Sequence, residues 1–190
     1  MSPNDIQPKN FWAPPAVCLI TYPRSGSNYF AEYFKQLTGI YIAKSHDVDY
    51  ARGRKIITIV RNPIDCIASR AAMFYETANV EEFVDLSKVL DKLDIEDYSK
   101  FYTRIISEAD IFIDYESFIK SPKETMSNVL DKLDIPYEMI NYTQTLSNKN
   151  GYMISSKETF LYDSIKNHYE QQDNQSLFDL YNKALSLCNI

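Results

Sequence analysis

The sequence predicts an α/β fold: a three-layer sandwich with a central parallel sheet, helices on both faces and a helical C-terminal part. Short apolar runs rich in β-branched residues alternate with segments of helical periodicity, which is typical of a parallel sheet. The strands are predicted at 16–21, 40–43, 55–60 and 111–115. Ligands of such sheets bind beyond the carboxyl ends of the strands, and polar motifs follow three of these ends.

Helices are predicted between and after the strands. They are expected at 27–37, at 63–75, as two helices across 80–109, at 121–135, and in an amphipathic region over 155–190 with a break near "EQQDNQ". Gly39 suits the C-terminal cap of the first helix, and Ser121, Pro122 and Glu124 form a capping-box pattern. Residues 1–15 are predicted to be an extended lead-in to a single domain that spans 1–190.

Composition limits the function. The formal net charge of −6 argues against broad binding to nucleic acid or anionic membranes, because both need a basic field. No apolar run is long enough to span a bilayer and no signal-peptide pattern is visible, so a soluble cytoplasmic protein is expected. Cys18, Cys66 and Cys188 lack the spacing of metal ligands and are expected to be free thiols.

The loop after the first strand, "TYPRSGSNY" at 21–29, has the features of an anion site. A strand–loop–helix turn points backbone N–H groups towards the helix N-terminus, where anions bind. Gly26 permits close approach of a ligand, and Arg24 adds a permanent charge. The P-loop of nucleotide triphosphatases requires a lysine after the glycine, and none follows Gly26. An ordinary tight turn before a helix is the alternative interpretation.

The loop after the third strand, "RNPIDCIAS" at 61–69, is the second informative stretch. Asn62 suits an N-cap and Pro63 the first helical position. Arg61 at the strand end and Ser69 two turns into the helix are within reach of one phosphate if this helix runs beside the first loop. The alternative is structural: a salt bridge from Arg61 to Asp65, and a Ser69 that lies on the helix surface.

Together these stretches resemble the sulfotransferases that use 3′-phosphoadenosine 5′-phosphosulfate (PAPS). "TYPRSGSNY" is similar to their 5′-phosphosulfate loop, and "RNPIDCIAS" matches their more specific 3′-phosphate motif, R-N-P-x-D-x-x-x-S. A weaker similarity extends through 111–136, so the resemblance covers about 16–137. It implies a P-loop NTPase-like fold, PAPS as co-substrate and 3′-phosphoadenosine 5′-phosphate (PAP) as product.

The resemblance also implies roles for single residues. The residues expected to bind the nucleotide are Arg24, Ser25, Gly26, Ser27, Asn28, Tyr29, Arg61, Ser69 and Tyr115. Within this set the 25–28 segment holds the 5′-phosphosulfate and Tyr29 stacks on adenine, while Arg61 and Ser69 bind the 3′-phosphate. Arg24 stands where many members have lysine.

The segment "AKSH" at 43–46 resembles the Lys-Thr-His segment of the family, in which histidine is the catalytic base. His46 is therefore the expected base, with Lys44 and Arg24 stabilising charge on the transferring group. A lone histidine is otherwise more often structural or exposed, and His168 is interpreted as a surface residue. No metal is expected, because no cluster of metal ligands is visible in the sequence.

The C-terminal part departs from the family. The Arg-Lys-Gly segment that closes on the 3′-phosphate in cytosolic members is missing, and Lys149, Ser155, Ser156 and Lys157 are candidate substitutes. The expected acceptor is a hydroxyl or amine of a small molecule or a sugar. Two other functions are compatible with the residues: a P-loop-type small-molecule kinase that needs ATP and Mg²⁺, and a non-catalytic nucleotide-binding relative.

Overall fold

The computed structural model describes residues 16–77, 95–135, 137, 156–171 and 174–188. The predicted lead-in, the first of the two helices expected across 80–109, Lys149 and Ser155 lie outside the described residues. The side chains of Ser156 and Lys157 also lie outside what is described.

A four-stranded parallel sheet forms the centre of the protein. The strands are β1 (Val17–Ile20), β2 (Ala43–Ser45), β3 (Lys55–Val60) and β4 (Ile111–Asp114), in the spatial order β2-β1-β3-β4. Leu19 of β1 pairs with Lys44 on one side and with Ile57 on the other. Because every pairing is parallel, the carboxyl ends of all four strands lie at one edge of the sheet.

Helices cover both faces of this sheet. They are α1 (Ser27–Thr38), α2 (Pro63–Thr77), α3 (Ile95–Glu108), α4 (Tyr115–Lys120), α5 (Pro122–Leu133), α6 (Ser156–Glu170) and α7 (Gln175–Ser186), with a short 3-10 helix at Val48–Ala51. One apolar cluster joins the sheet to α1, α4 and α5, and the other joins it to α2, α3, α6 and α7. The predicted α/β class, the parallel sheet and the helical C-terminal part are confirmed.

Alternation along β1 explains the two clusters. Val17 and Leu19 belong to the first cluster, whereas Cys18 and Ile20 belong to the second. A strand covered on both faces needs apolar side chains in both directions, which is why its sequence is continuously apolar. The predicted free thiols are confirmed, with Cys18 and Cys66 fully buried. In the part of the chain that the structure describes, no helix has the length and apolar character needed to cross a bilayer.

The second strand does not lie where the sequence predicted it. The prediction at 40–43 was wrong, because the strand is Ala43–Ser45. Ile40 and Tyr41 are 47% and 73% exposed, so their apolar side chains are not strand residues facing a core. Gly39 caps α1 in the left-handed conformation, as predicted, with its N–H donating to the carbonyl of Lys35. Residues 40–42 connect this cap to β2, which pairs with the edge of β1.

One helix start and the capping of another helix also differ from the prediction. The fourth strand stops at Asp114, because its carboxylate accepts hydrogen bonds from the N–H groups of Glu116 and Ser117 and so begins α4 at Tyr115. Ser121 is the N-cap residue of α5, but its side chain makes no capping hydrogen bond. Its N–H instead donates to the Ser117 carbonyl at the end of α4. The full capping box expected there was therefore wrong.

Candidate anion-binding site

The two predicted anion-binding motifs contact each other at the carboxyl edge of the sheet. Arg61 Nη1 donates to the carbonyl oxygen of Arg24 over 2.6 Å. Arg24 Nε in turn donates to Ser69 Oγ over 2.9 Å. Residues separated by 37 and 45 positions are thus joined. The contact forms because β1 and β3 are neighbours in the sheet, so the loops that follow them leave the same edge side by side.

The first loop has a left-handed backbone at two positions, with φ of 69° at Arg24 and 87° at Gly26. A side chain at Gly26 would meet the ring of Tyr115, because a Cβ there would lie 2.7 Å from Tyr115 Cε2. Glycine is therefore required both for its conformational freedom and for its missing side chain. Tyr115 packs directly against the loop.

Ser25 is buried inside this loop and is fully hidden from solvent. Its N–H donates to the Tyr22 carbonyl over 3.3 Å, and its Oγ lies 3.6 Å from Cys66 Sγ on α2. Burial raises the pKa of the Cys66 thiol to about 11, so the thiol stays protonated at neutral pH. The polar groups of Ser25 therefore make contacts within the protein that tie the loop to α2.

Helix α1 begins directly after this loop, with Gly26 as its N-cap residue and no side-chain capping bond. The first N–H groups of an α-helix have no acceptor within the helix, and they lie at the positive end of its dipole. Lys44 of β2 donates from Nζ to Asn28 Oδ1 in the first turn. A predicted catalytic lysine and a predicted ligand residue are therefore in contact at this helix end.

Arg61 lies over the ring of Tyr115, with its guanidinium carbon 4.4 Å from the ring centroid. The Arg61 carbonyl accepts a hydrogen bond from the hydroxyl of Tyr98 over 3.1 Å. Within the described residues, the buried Nε of Arg61 has no hydrogen-bond partner. Leaving a buried donor unpaired costs about 1–3 kcal/mol.

His46 follows β2 and lies next to the end of β1. Its Nδ1 is 2.7 Å from the carbonyl oxygen of Thr21. Since a carbonyl oxygen only accepts, Nδ1 carries the hydrogen, and the neutral ring has its lone pair on Nε2. His46 is exposed, so this nitrogen belongs to a ring that solvent and small molecules reach. His168 is also exposed, in the last turn of α6, as predicted.

Tyr29 lies in the first turn of α1 and is partly buried. Its ring stacks on Tyr33 with a centroid distance of 6.3 Å and lies 5.1 Å from the ring of Phe118. It therefore forms part of the packing between α1 and α4. The expected contact of Tyr29 with adenine stays a prediction.

Asp65, in the first turn of α2, has partners that the sequence did not indicate. Its Oδ1 accepts a hydrogen bond from Tyr162 Oη over 2.7 Å. The same oxygen forms an ion pair with Lys166 Nζ over 3.0 Å. Burial raises the pKa of the Asp65 carboxyl, but these two hydrogen bonds outweigh burial and hold the pKa below its ordinary value. Tyr162 and Lys166 are four residues apart, so they lie on one face of a helix. Their sequence does not indicate that Asp65 is their partner.

The geometry defines a parallel α/β protein of P-loop-like fold, with a candidate anion site at the carboxyl edge of its sheet. Residues 52–139 match the model of the sulfotransferase family, and this match supports a sulfotransferase-family domain over that segment. The match includes "RNPIDCIAS" and Tyr115, and the first loop and His46 precede it. Neither the curated proteins nor the solved structures include a match to this chain.

Proposed function

We propose that the protein transfers a sulfuryl group from PAPS to a hydroxyl or amine of a small-molecule or sugar acceptor. The observation that supports this most is the contact chain from Arg61 through Arg24 to Ser69. It puts the two motifs that resemble the phosphosulfate loop and the 3′-phosphate motif side by side. One bisphosphorylated nucleoside then reaches both of them.

The local chemistry fits an anionic nucleotide. The guanidinium of Arg61, whose Nε has no partner among the described residues, supplies a positive charge suited to the 3′-phosphate. Ser69 is connected to Arg61 by the hydrogen bonds that each of them makes with Arg24. The N-terminus of α1, with Gly26, Ser27 and Asn28, is suited to the 5′-phosphosulfate. In this proposal Ser25 holds the shape of the loop, while Tyr29 and Tyr115 lie beside the nucleoside.

The proposed chemistry needs a base and a set of positive charges. When bound, PAPS supplies an activated sulfuryl group on a phosphate leaving group. His46 accepts the proton of the acceptor at Nε2, because the Thr21 carbonyl holds its Nδ1–H. Lys44 and Arg24 stabilise negative charge as it develops, and since arginine does not lose its proton, Arg24 acts by electrostatics alone.

A thermal-shift comparison of PAP with ATP plus Mg²⁺ tests the nucleotide class. A ligand at 100 times its Kd stabilises the folded state by about 2.7 kcal/mol, which raises Tm by roughly 5–10 °C in a domain of this size. We expect PAP to give this shift without metal. A shift with ATP and Mg²⁺ alone would favour a small-molecule kinase, and PAP binding without turnover on any acceptor would favour a non-catalytic relative.

A further inference from the structure

Arg61 precedes α2, and Asp65 lies four residues later in the first turn of that helix, yet the two side chains do not form an ion pair. Among the described residues, the ion pair of Asp65 is with Lys166 of α6, and the buried Nε of Arg61 has no hydrogen-bond partner. Asp65 is the acid nearest in sequence to this cation. A partly buried arginine normally binds a nearby carboxylate, because an uncompensated charge is costly away from water. The Asp65 carboxylate is instead bound by groups from another helix.

Helix α6 supplies the groups that bind the Asp65 carboxylate. Tyr162 and Lys166 are one turn apart, and both bind the same oxygen, Asp65 Oδ1, over 2.7 and 3.0 Å. The Asp65 side chain is 19% exposed and that of Lys166 is 36% exposed, so solvent screens this pair only in part. The donors come from a helix 97 positions later in the chain, beyond the segment that matches the family.

An unpaired Asp65 carboxylate would oppose phosphate binding in two ways. It would attract the Arg61 guanidinium, and it would repel a ligand with two or more negative charges. We propose that Lys166 and Tyr162 are positioning residues that occupy Asp65, so that Arg61 is left to bind phosphate. This inference rests on the proposed function, in which Arg61 binds the 3′-phosphate of the nucleotide.

The test measures the Kd of PAP by calorimetry and the Tm of each free variant. Lys166→Gln releases Asp65, and we expect PAP to bind roughly tenfold more weakly, as a unit charge several ångströms from a phosphate predicts. The double variant Asp65→Asn with Lys166→Gln carries no released carboxylate, and we expect its Kd to return to the parent value. Lys166→Arg keeps the charge and should bind PAP like the parent.

Two further variants separate this effect from general loss of charge or packing. Lys100→Gln removes an exposed ion pair of similar length, 3.1 Å to Glu96, and should leave the Kd unchanged. Tyr162→Phe removes one hydrogen bond and no charge, and we expect a weakening of about threefold. If Lys166→Gln does not fold, the Tyr162→Phe result carries the test, and an unchanged Kd there overturns the inference.

The outcomes distinguish this inference from the proposed function. A parent protein that binds no PAP refutes the proposed function and this inference with it. A parent that binds PAP, with a Lys166→Gln variant that binds it equally well, refutes the inference alone. The same holds if the double variant stays as weak as Lys166→Gln, because Lys166 would then act without Asp65.

Discussion

Replacing Arg61 with alanine should weaken nucleotide binding far more than it weakens the fold. In the free protein the Arg61 guanidinium donates a hydrogen bond to the Arg24 carbonyl and contacts the Tyr115 ring. These contribute about 1.5–3 and 0.5–2 kcal/mol respectively. The buried Nε without a partner in the described part of the chain costs about 1–3 kcal/mol. The favourable and unfavourable contributions largely offset each other, so we expect Arg61→Ala to lower the free energy of unfolding by only about 1–2 kcal/mol.

The effect of Arg61→Ala on PAP binding has no opposing contribution of this kind. A bound phosphate would pair the guanidinium, and a charge-assisted contact of this kind contributes about 1.5–3 kcal/mol. The Kd of PAP should therefore rise by about 10- to 150-fold in Arg61→Ala. Calorimetric titration of PAP, together with chemical unfolding of the free variant, measures the two effects separately.

Arg70→Ala is the matched control for this experiment. It removes the same charge from the helix that follows Arg61, together with a hydrogen bond to the Tyr22 hydroxyl and an ion pair to Asp97. We expect Arg70→Ala to lose stability while its Kd for PAP stays within about threefold of the parent value. An Arg61→Ala variant that loses stability but binds PAP like the parent would refute the reasoning and remove Arg61 from the site.

Three other changes have defined outcomes. His46→Ala should lower turnover by about 10²- to 10⁴-fold and leave PAP affinity nearly intact, and turnover at the parent rate would exclude His46 as the base. Gly26→Ala should lower Tm by roughly 2–8 °C, because a positive φ costs about 1–2 kcal/mol and the Tyr115 ring must move. An unchanged melting curve would contradict this. Asp65→Asn should make the free energy of unfolding depend less steeply on pH in the acid range. The depressed pKa of Asp65 makes its contribution complete above about pH 4 and lost as pH falls further, so urea midpoints should fall less in the variant than in the parent. If the urea midpoints of variant and parent fall equally with pH, Asp65 does not contribute to the pH dependence of stability.

Much of the local structure was readable from the sequence. The run at 55–60 is a strand over the predicted residues, and Asn62 accepts hydrogen bonds from the N–H groups of Ile64 and Asp65 as an N-cap should. Such features depend on residues within one turn or one strand of each other. The misplaced strand at 40–43 shows the limit, since apolar letters do not reveal whether the side chains will be covered.

The sequence by itself determined the alternation of strands and helices, the two predicted anion-binding motifs and the resemblance to sulfotransferases. It did so because β-branched runs, caps and glycine turns act over short distances along the chain. Only the tertiary structure decided that Arg61 binds the Arg24 carbonyl, that Arg24 meets Ser69, and that α6 supplies the partners of Asp65. Those contacts depend on which strands are neighbours and where a distant helix packs, and no local pattern in the chain encodes either.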